Sequence, residues 1–309
     1  YILTVDGDVA SLALVPPVVV PEPVKFLQYR GCNLTGGGTG WNRWMDLASP
    51  GPVAGTHYKF VSNAEVDGLV AAGMNTFRLL FTWEALQTKP YEALGGNVAT
   101  TYRTYWDRFD VLVDYITNTK GCDVILDIHG DIDAGFAAYR SIRVGGSYNG
   151  TAVTDMLRDL WGKLAYKYAS NPRVHYGITN EPHDIPAGTW YDCAQKCINA
   201  IRSVGGKGTI FMPGCNWTGA GSWMTSNAQY WNLTDPLNKL QVQLHLYFDA
   251  NSGGGTTDVV SPTIGVERLK DAVTWARQKG LKLFLGEVGL SAASPNGKPA
   301  WDNLHTFML

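Results

Sequence analysis

Two glutamates close separate apolar segments, and they are the residues in this chain best suited to chemistry. Glu181 ends the segment that starts at Tyr176 and is followed by Pro182, and Glu287 ends the segment that starts at Leu281. A carboxylate at the end of a buried strand is costly unless it is used. Two of them predict a paired-carboxylate site at the mouth of a parallel barrel. For Glu181 the alternative is a helix cap, because an anion is favourable beside a helix that begins at Pro182.

Further polar residues stand at the ends of other predicted strands. Because a barrel carries its active site at the carboxyl ends of its strands, the following residues are candidates for the same site: Arg78, His129, Asn180, Trp217, His245 and Tyr247. Structural roles are the alternative: a buried ion pair for Arg78, a core position for His129, and rim packing for Trp217 and Tyr247. The site interpretation is favoured because unrelated structural roles would not all fall at the same end of successive strands.

The carboxyl pair suits glycoside hydrolysis with retention. One carboxyl must be protonated to donate to the leaving oxygen, and the other must be ionised to attack the anomeric carbon. Arg78 beside Glu287 would keep that nucleophile ionised, and Tyr247 could donate a hydrogen bond to it. Retention also predicts that the carboxyl groups of Glu181 and Glu287 lie about 5–5.5 Å apart.

The remaining candidates are expected to contact sugar. Asn180 is placed to bind the 2-hydroxyl, and His129 and His245 would bind hydroxyls or orient the carboxylates. Trp217 and Trp223 could stack on sugar rings. Their role is therefore substrate binding.

Short apolar runs alternate with amphipathic segments, and these elements must position the site. The runs predict seven strands: Phe26–Arg30, Asn75–Leu80, Val124–Ile128, Val174–Ile178, Thr209–Met212, Leu240–Leu246 and Leu281–Leu285. The amphipathic segments predict helices: Ser62–Met74, Tyr105–Lys120, Thr154–Ser170 and Val266–Lys279, with a last one beginning at Pro299. This alternation predicts an α/β fold, a (β/α)8 TIM barrel without a visible eighth strand.

The domain boundaries follow from a change in composition. Residues 1–23 are interpreted as an N-terminal extension or linker, because a β-rich piece is followed by a proline-rich stretch. Residues 24–309 are interpreted as the barrel, incomplete at its C-terminal side. Residues 1–14 are a candidate for filling the gap left by the missing strand.

The composition and net charge limit the kinds of binding partner that we expect for this chain. The chain has 309 residues, is 45% hydrophobic and carries a net charge of −2, which suits one large core and gives no support for binding nucleic acid or an anionic membrane. The five cysteines match no zinc spacing. Cys193 and Cys197 are four apart on a predicted helix, and two buried free thiols are favoured there over a disulfide.

Six motifs resemble glycoside hydrolase family 5, most closely its endo-β-1,4-glucanase (cellulase) branch. They are Gly73-Met-Asn-Thr-Phe-Arg78, Ile125-Leu-Asp-Ile-His129, Thr179-Asn-Glu181-Pro-His-Asp-Ile-Pro186, Pro213-Gly-Cys-Asn-Trp-Thr-Gly219, His245-Leu-Tyr247 and Phe284-Leu-Gly-Glu287. The resemblance runs from about Lys25 to Leu309. It implies a (β/α)8 barrel, Glu181 as acid/base, Glu287 as nucleophile, no cofactor or metal, and β-glucan substrates. It also supports Arg78, His129, Asn180, His245 and Tyr247 as the residues around the pair.

Two departures from the family keep other functions open. Gly130-Asp131 follows the third strand where relatives usually have Asn-Tyr or a similar pair, and no tryptophan of an eighth strand precedes Leu309. The alternatives are a polysaccharide-binding protein with a disabled barrel, similar to an adhesin, or a retaining hydrolase of mannan, xyloglucan or bacterial exopolysaccharide. Asn33 and Asn216 lie in sequons but are expected to be unmodified, because a glycan would block the cleft. The expected location is extracellular, or on a virion if the source is a phage.

Overall fold

A parallel seven-stranded sheet, surrounded by helices, forms the centre of the fold. The structure is a computed structural model and describes residues 2–6, 9–13, 27–35, 53–55, 58–87, 89–96, 101–129, 138–139 and 142–309. The strands are β1 (Ile2–Asp6), β2 (Val9–Ala13), β3 (Gly31–Thr35), β4 (Thr76–Phe81), β5 (Asp123–Ile128), β6 (Ala138–Tyr139), β7 (Ile142–Arg143), β8 (Ser147–Tyr148), β9 (Thr151–Ala152), β10 (Val174–Gly177), β11 (Ile210–Met212), β12 (Leu240–Tyr247) and β13 (Lys282–Gly289).

The central sheet has the order β13-β12-β11-β10-β5-β4-β3, and every neighbouring pair is parallel. Its edge strands are β3 and β13, and the seven strands form a nearly closed barrel. In the described part of the chain, three short antiparallel pairs lie outside this sheet: β1 with β2, β6 with β7, and β8 with β9. The predicted barrel class and the count of seven parallel strands are confirmed.

Helices connect the barrel strands. They are α1 (Asn63–Ala71), α2 (Trp83–Leu86), α3 (Thr101–Asp114), which continues as a π-helical turn over Tyr115–Thr119, α4 (Val153–Lys167), α5 (Ala187–Ser203), α6 (Trp223–Ser226), α7 (Ile264–Gln278) and α8 (Gly297–Met308). Ser62 and Glu65 form the capping box predicted at the start of α1. No helix in the described ranges has both the length and the apolar character needed to cross a bilayer.

Strand β4 shows how the barrel separates packing from chemistry. All six of its residues are buried. Phe77, Leu79 and Phe81 belong to the apolar core that the helices share, whereas Arg78 points to the other face and contacts groups at the barrel mouth. Successive residues of a strand face opposite sides, so one side of β4 stabilises the fold and the other side presents polar groups.

The first barrel strand begins later than the predicted Phe26–Arg30. Residues 27–30 form a bend, and pairing with β4 starts at Gly31. A Cβ atom at Gly31 would lie 1.5 Å from the Thr76 carbonyl oxygen, so only glycine allows this approach. The Arg30 amide instead donates to the Asn75 side chain. The apolar run therefore predicted the wrong residues for this strand.

The proposed gap filler at the N-terminus is also wrong. β1 pairs with β2 in a separate hairpin and does not join the barrel sheet. The predicted linker falls on residues 14–23, outside the described part of the chain. The thiol prediction is confirmed, because Cys193 and Cys197 are buried and free on α5.

Candidate active site

Glu181 and Glu287 meet at the carboxyl ends of the barrel strands. One carboxylate oxygen of each lies within 4.8 Å of the other. Their side chains are 14% and 12% exposed, so both are largely shielded yet reachable from the barrel mouth. The helix-cap interpretation of Glu181 is wrong, because α5 begins at Ala187 and residues 181–186 are not helical.

A β-bulge places Glu287 on the inner face of the barrel. Leu244 pairs with Leu285, but His245 pairs with Glu287, so Gly286 is the extra residue of β13. Strict alternation would place Glu287 on the same face as Leu285, which packs outward into the apolar core. The bulge reverses this, as bulges beside active sites often do.

Two donors hold the Glu287 carboxylate. Arg78 Nη1 donates to Oε1 at 2.8 Å, and Tyr247 Oη donates to Oε2 at 2.6 Å. Burial opposes ionisation of Glu287, but His245, Arg78 and the Tyr247 hydrogen bond together lower its pKa to about 2. Burial and the nearby Glu287 charge raise the pKa of Tyr247, so its hydroxyl stays a donor. Glu287 is therefore held as an anion.

Arg78 is itself fixed from two other strands. Its guanidinium forms a bidentate pair with Asp127, with Nε–Oδ2 and Nη2–Oδ1 distances of 3.0 and 2.9 Å. Gly177 leaves the space for that carboxylate, since a Cβ there would lie 2.4 Å from Asp127 Oδ2. Burial raises the pKa of Asp127 to about 6, although the charge of Arg78 opposes this. Arg78 is thus a buried ion-pair partner and a site residue at once.

Asn180 is oriented by the same guanidinium. Its Oδ1 accepts from Arg78 Nη2 at 2.6 Å, and its backbone N–H donates to the Ile128 carbonyl. The carboxamide is buried, and its Nδ2 donates to no other group in the described residues. The amide N–H is therefore left for a ligand beside Glu181.

His245 connects the two carboxylates. Its Nδ1 lies 2.5 Å from Glu181 Oε1 and 3.6 Å from Glu287 Oε2. Its other ring nitrogen, Nε2, lies 3.1 Å from Gln243 Nε2. As predicted from their spacing, His245 and Tyr247 point to the same side of β12, where His245 lies nearest to Glu181 and Tyr247 donates to Glu287.

His129 follows β5 at the rim of the site, and its backbone N–H donates to the Phe81 carbonyl. Burial and the charge of Arg78 lower its pKa to about 4, against the attraction of Glu287. The imidazole is consequently neutral near pH 6 and can both donate and accept hydrogen bonds.

Trp217 is the exposed aromatic residue next to the acid side of the site. Its side chain is 41% exposed and its ring stacks on His183 at a centroid distance of 3.5 Å. Its amide donates to the carbonyl of Pro182, which directly follows Glu181. Asn216, Trp217 and Thr218 all have left-handed backbone angles, with φ of 58°, 62° and 57°. Such strained turns are typical of functional loops.

The second predicted platform, Trp223, is not at the surface. It is fully buried and packs in the apolar core against Trp231 and Trp275. Its position at the start of α6 turns the ring toward α7, so it cannot stack on a ligand. The prediction for Trp223 is wrong.

Among the residues that the structure describes, Glu181, His245 and Glu287 also form a group whose atoms are close enough to share a metal ion, all within 4.8 Å of one another. In the described residues, however, these same atoms are paired with each other, with Arg78 or with Tyr247. The expectation that the site needs no metal stays a prediction.

Asp127 and Gln243 have roles in the site that were not predicted from the sequence. Asp127 lies within one of the quoted motifs, and a charge inside an apolar strand was the available signal. Gln243 belongs to a period-two series of polar residues along β12, which also contains Gln241, His245 and Tyr247. That alternation indicates a strand with one polar inner face, and it was the signal for Gln243.

A nearly closed parallel barrel that carries paired carboxylates at the carboxyl ends of its strands defines the class of barrel glycosidases. The profile of the family Cellulase (glycosyl hydrolase family 5) matches residues 35–308. The chain therefore belongs to glycosyl hydrolase family 5, and the resemblance seen in its motifs is confirmed.

Individual relatives agree with this family. Endoglucanase 1 of Robillarda sp. is 35% identical over 260 residues, which cover 80% of this chain and 66% of that protein. The structure of XacCel5A in complex with cellopentaose has a TM-score of 0.80 and 30% identity, covering 91% of this chain and 85% of the other. Pseudomonas stutzeri endoglucanase Cel5A in complex with cellobiose has a TM-score of 0.74 and 29% identity, covering 89% and 79%. The chain spans 57–66% of the length of several curated relatives that it matches.

Proposed function

We propose that this chain is the catalytic barrel of an endo-β-1,4-glucanase that cleaves internal bonds of cellulose-like β-glucans with retention. The observation that carries the proposal is the pair of carboxylate oxygens within 4.8 Å. Retaining glycosidases hold their two carboxyl groups about 5–5.5 Å apart, whereas inverting ones need roughly 6.5–9.5 Å to admit a water.

In this mechanism the two glutamates act on opposite sides of the bond. Glu287 attacks the anomeric carbon while Glu181 gives its proton to the leaving oxygen, which forms a glycosyl-enzyme ester. A water molecule then attacks the same carbon, and Glu181 takes its proton as Glu287 leaves. The different surroundings support these roles, because Arg78 contacts Glu287 and not Glu181.

The substrate is proposed to lie across the barrel mouth. Asn180 would donate its free amide N–H to the sugar 2-hydroxyl, and the neutral His129 would bind another hydroxyl. Trp217 would stack on a sugar on the leaving-group side, because its backbone is bonded to the residue that follows Glu181. The related structures in complex with cellopentaose and cellobiose support a β-1,4-linked ligand. A polymeric glucan cannot enter a cell, so we place the activity outside it.

Activity on a soluble β-glucan tests this proposal. We expect reducing ends to appear with the wild-type chain and to be lost by more than about 10³-fold in both Glu181→Gln and Glu287→Gln, with unchanged melting temperatures. Proton NMR of the first product should show the β-anomer. Near-normal turnover in either variant, or an α-anomer first, would contradict the proposal. Binding of the glucan without cleavage by the wild type would favour the disabled-barrel alternative.

A further inference from the structure

Gln243 lies on the inner face of β12, one inward position below His245. Its side chain is fully buried. The amide nitrogen Nε2 is 3.1 Å from His245 Nε2, while the amide oxygen Oε1 is buried and bonds to no group in the described residues. A buried acceptor without a partner is unfavourable, so its persistence needs a reason.

The bulge in β13 confines this amide. A Cβ atom on Gly286 would lie 2.8 Å from Gln243 Cδ and 3.0 Å from its Nε2. The backbone of Gly286 is not in the left-handed region, so glycine serves here to give space to the Gln243 side chain. The same bulge that turns Glu287 inward therefore also seats Gln243 against His245.

The orientation of Gln243 determines which nitrogen of His245 carries the proton. An amide nitrogen can only donate, so a neutral His245 accepts at Nε2 in this orientation and carries its ring proton on Nδ1. That N–H then points at Glu181 Oε1, 2.5 Å away. If the amide were flipped, Oε1 of Gln243 would gain a donor, but His245 Nδ1 would become an acceptor facing Glu181.

The two tautomers have opposite consequences for an acid. With the proton on Nδ1, Oε1 of Glu181 is reserved as an acceptor, and the transferable proton must sit on Oε2. With the proton on Nε2, a protonated Glu181 would donate to the imidazole instead of to the leaving group. The amide orientation that leaves Oε1 of Gln243 unpaired is therefore the one that gives the Nδ1–H tautomer of His245, in which the Glu181 proton is available to the leaving group.

We infer that Gln243 is a positioning residue that holds His245 as an Nδ1–H donor, and thereby keeps the Glu181 proton available to the leaving oxygen. This inference rests on the proposed function. It concerns only the proton-donating half of the site, so it predicts an effect that depends on how much the leaving group needs a proton.

The test compares kcat/KM on two substrates. Cellotetraose has a poor leaving group that must be protonated by an acid. The leaving group of 2,4-dinitrophenyl β-cellobioside, 2,4-dinitrophenolate, departs without a proton. For Gln243→Met, which keeps the length but removes the donor, we expect a loss of about tenfold or more on cellotetraose and less than about threefold on the aryl substrate. For Gln243→Glu, which offers only acceptors when ionised, the loss on cellotetraose should be larger, about 100-fold.

Gln241→Met is the matched control, because Gln241 is also buried on the inner face of β12 but is one inward position further from His245. Its ratio of the two kcat/KM values should equal that of the wild type. Nitrogen-15 NMR of the His245 ring supplies a readout without turnover, with the wild type expected to show protonated Nδ1 and unprotonated Nε2.

Three results would overturn the inference: a wild-type His245 protonated on Nε2, equal losses on both substrates, or no loss in Gln243→Met. Failure of the proposed function looks different. In that case the wild type would cleave neither substrate, or Glu181→Gln would lack the same dependence on the leaving group.

Discussion

The two halves of the site are built in different ways. Glu287 lies between two donors, and one of them, Arg78, is itself tied to Asp127 and Asn180. In the described residues the Glu181 carboxylate hydrogen-bonds to one side chain, His245, which is oriented by a single amide. The nucleophile is therefore fixed by a dense charged network, and the acid by a short chain of one imidazole and one amide.

This difference matches the chemistry of the two roles. A nucleophile must stay ionised throughout the reaction, and a permanent cation with several supports secures that. An acid/base group must gain and lose a proton in each cycle, and a fixed cation beside it would oppose the protonated form. The contrast predicts which substitutions act on one half alone.

The largest effect should come from exchanging the carboxylates themselves. With 2,4-dinitrophenyl β-cellobioside, Glu287→Gln should lose more than about 10³-fold in kcat/KM because no nucleophile remains. Glu181→Gln should lose less than about tenfold on this substrate, since no acid is needed for its first step. Steady-state kinetics with added azide would complete the comparison, and azide should accelerate only Glu181→Gln. Equal losses in the two variants would remove the distinction between the halves.

Arg78→Lys should have the next largest effect. Lysine keeps the charge but cannot pair with Asp127 in two bonds and reach Glu287 as well. We expect a loss in kcat/KM of about 10²–10³-fold, which corresponds to about 3–4 kcal/mol, together with a lower melting temperature.

Arg202 provides the control for that substitution, because it forms a similar bidentate pair with Asp235 away from the site. Arg202→Lys should lower the melting temperature while leaving kcat/KM within about twofold. Similar activity losses in both variants would mean that Arg78 acts through stability alone.

Tyr247→Phe should change the pH profile. The Tyr247 hydrogen bond helps to lower the pKa of Glu287 to about 2, and its removal raises that pKa. Because the ionised form is the active one, the acid limb of kcat/KM should move to higher pH by on the order of one unit, the equivalent of one charge-assisted hydrogen bond. Profiles from pH 2.5 to 7, with folding checked at each pH, would measure the shift. A move to lower pH would be the wrong sign for this assignment.

Gly289→Ala should produce the smallest effect of the series. A Cβ there would lie 2.7 Å from Tyr247 Cε1, and the backbone of Gly289 is not left-handed, so the added methyl disturbs only the ring. We expect a loss of about three- to tenfold in kcat/KM with the same direction of pH shift as Tyr247→Phe, and little further loss when the two are combined.

Gly253→Ala is the control for Gly289→Ala, because nothing lies within 4 Å of its added Cβ and its backbone is also ordinary. Its activity should stay within about twofold of the wild type. Additive losses in the Gly289→Ala, Tyr247→Phe double variant would show that Gly289 does not act through Tyr247.

The sequence by itself determined the alternation of strands and helices, and therefore the barrel and the end of it that carries the site. It also determined the chemical types at the strand ends: two carboxylates, an arginine, an asparagine, two histidines and a tyrosine. These follow from local pattern, since the periods of strands and helices and the cost of a buried charge are visible in one segment at a time.

Only the tertiary structure decided how those groups are paired. The bulge at Gly286 depends on register between β12 and β13, and it reverses the face on which Glu287 lies. The burial of Trp223 and the start of β3 at Gly31 likewise depend on which distant segments approach. The sequence of a single strand does not specify its register with the neighbouring strand. Glu287 is held by charged and hydroxyl donors, whereas Glu181 is held by a histidine that an amide orients. This difference is therefore a property of the assembled barrel.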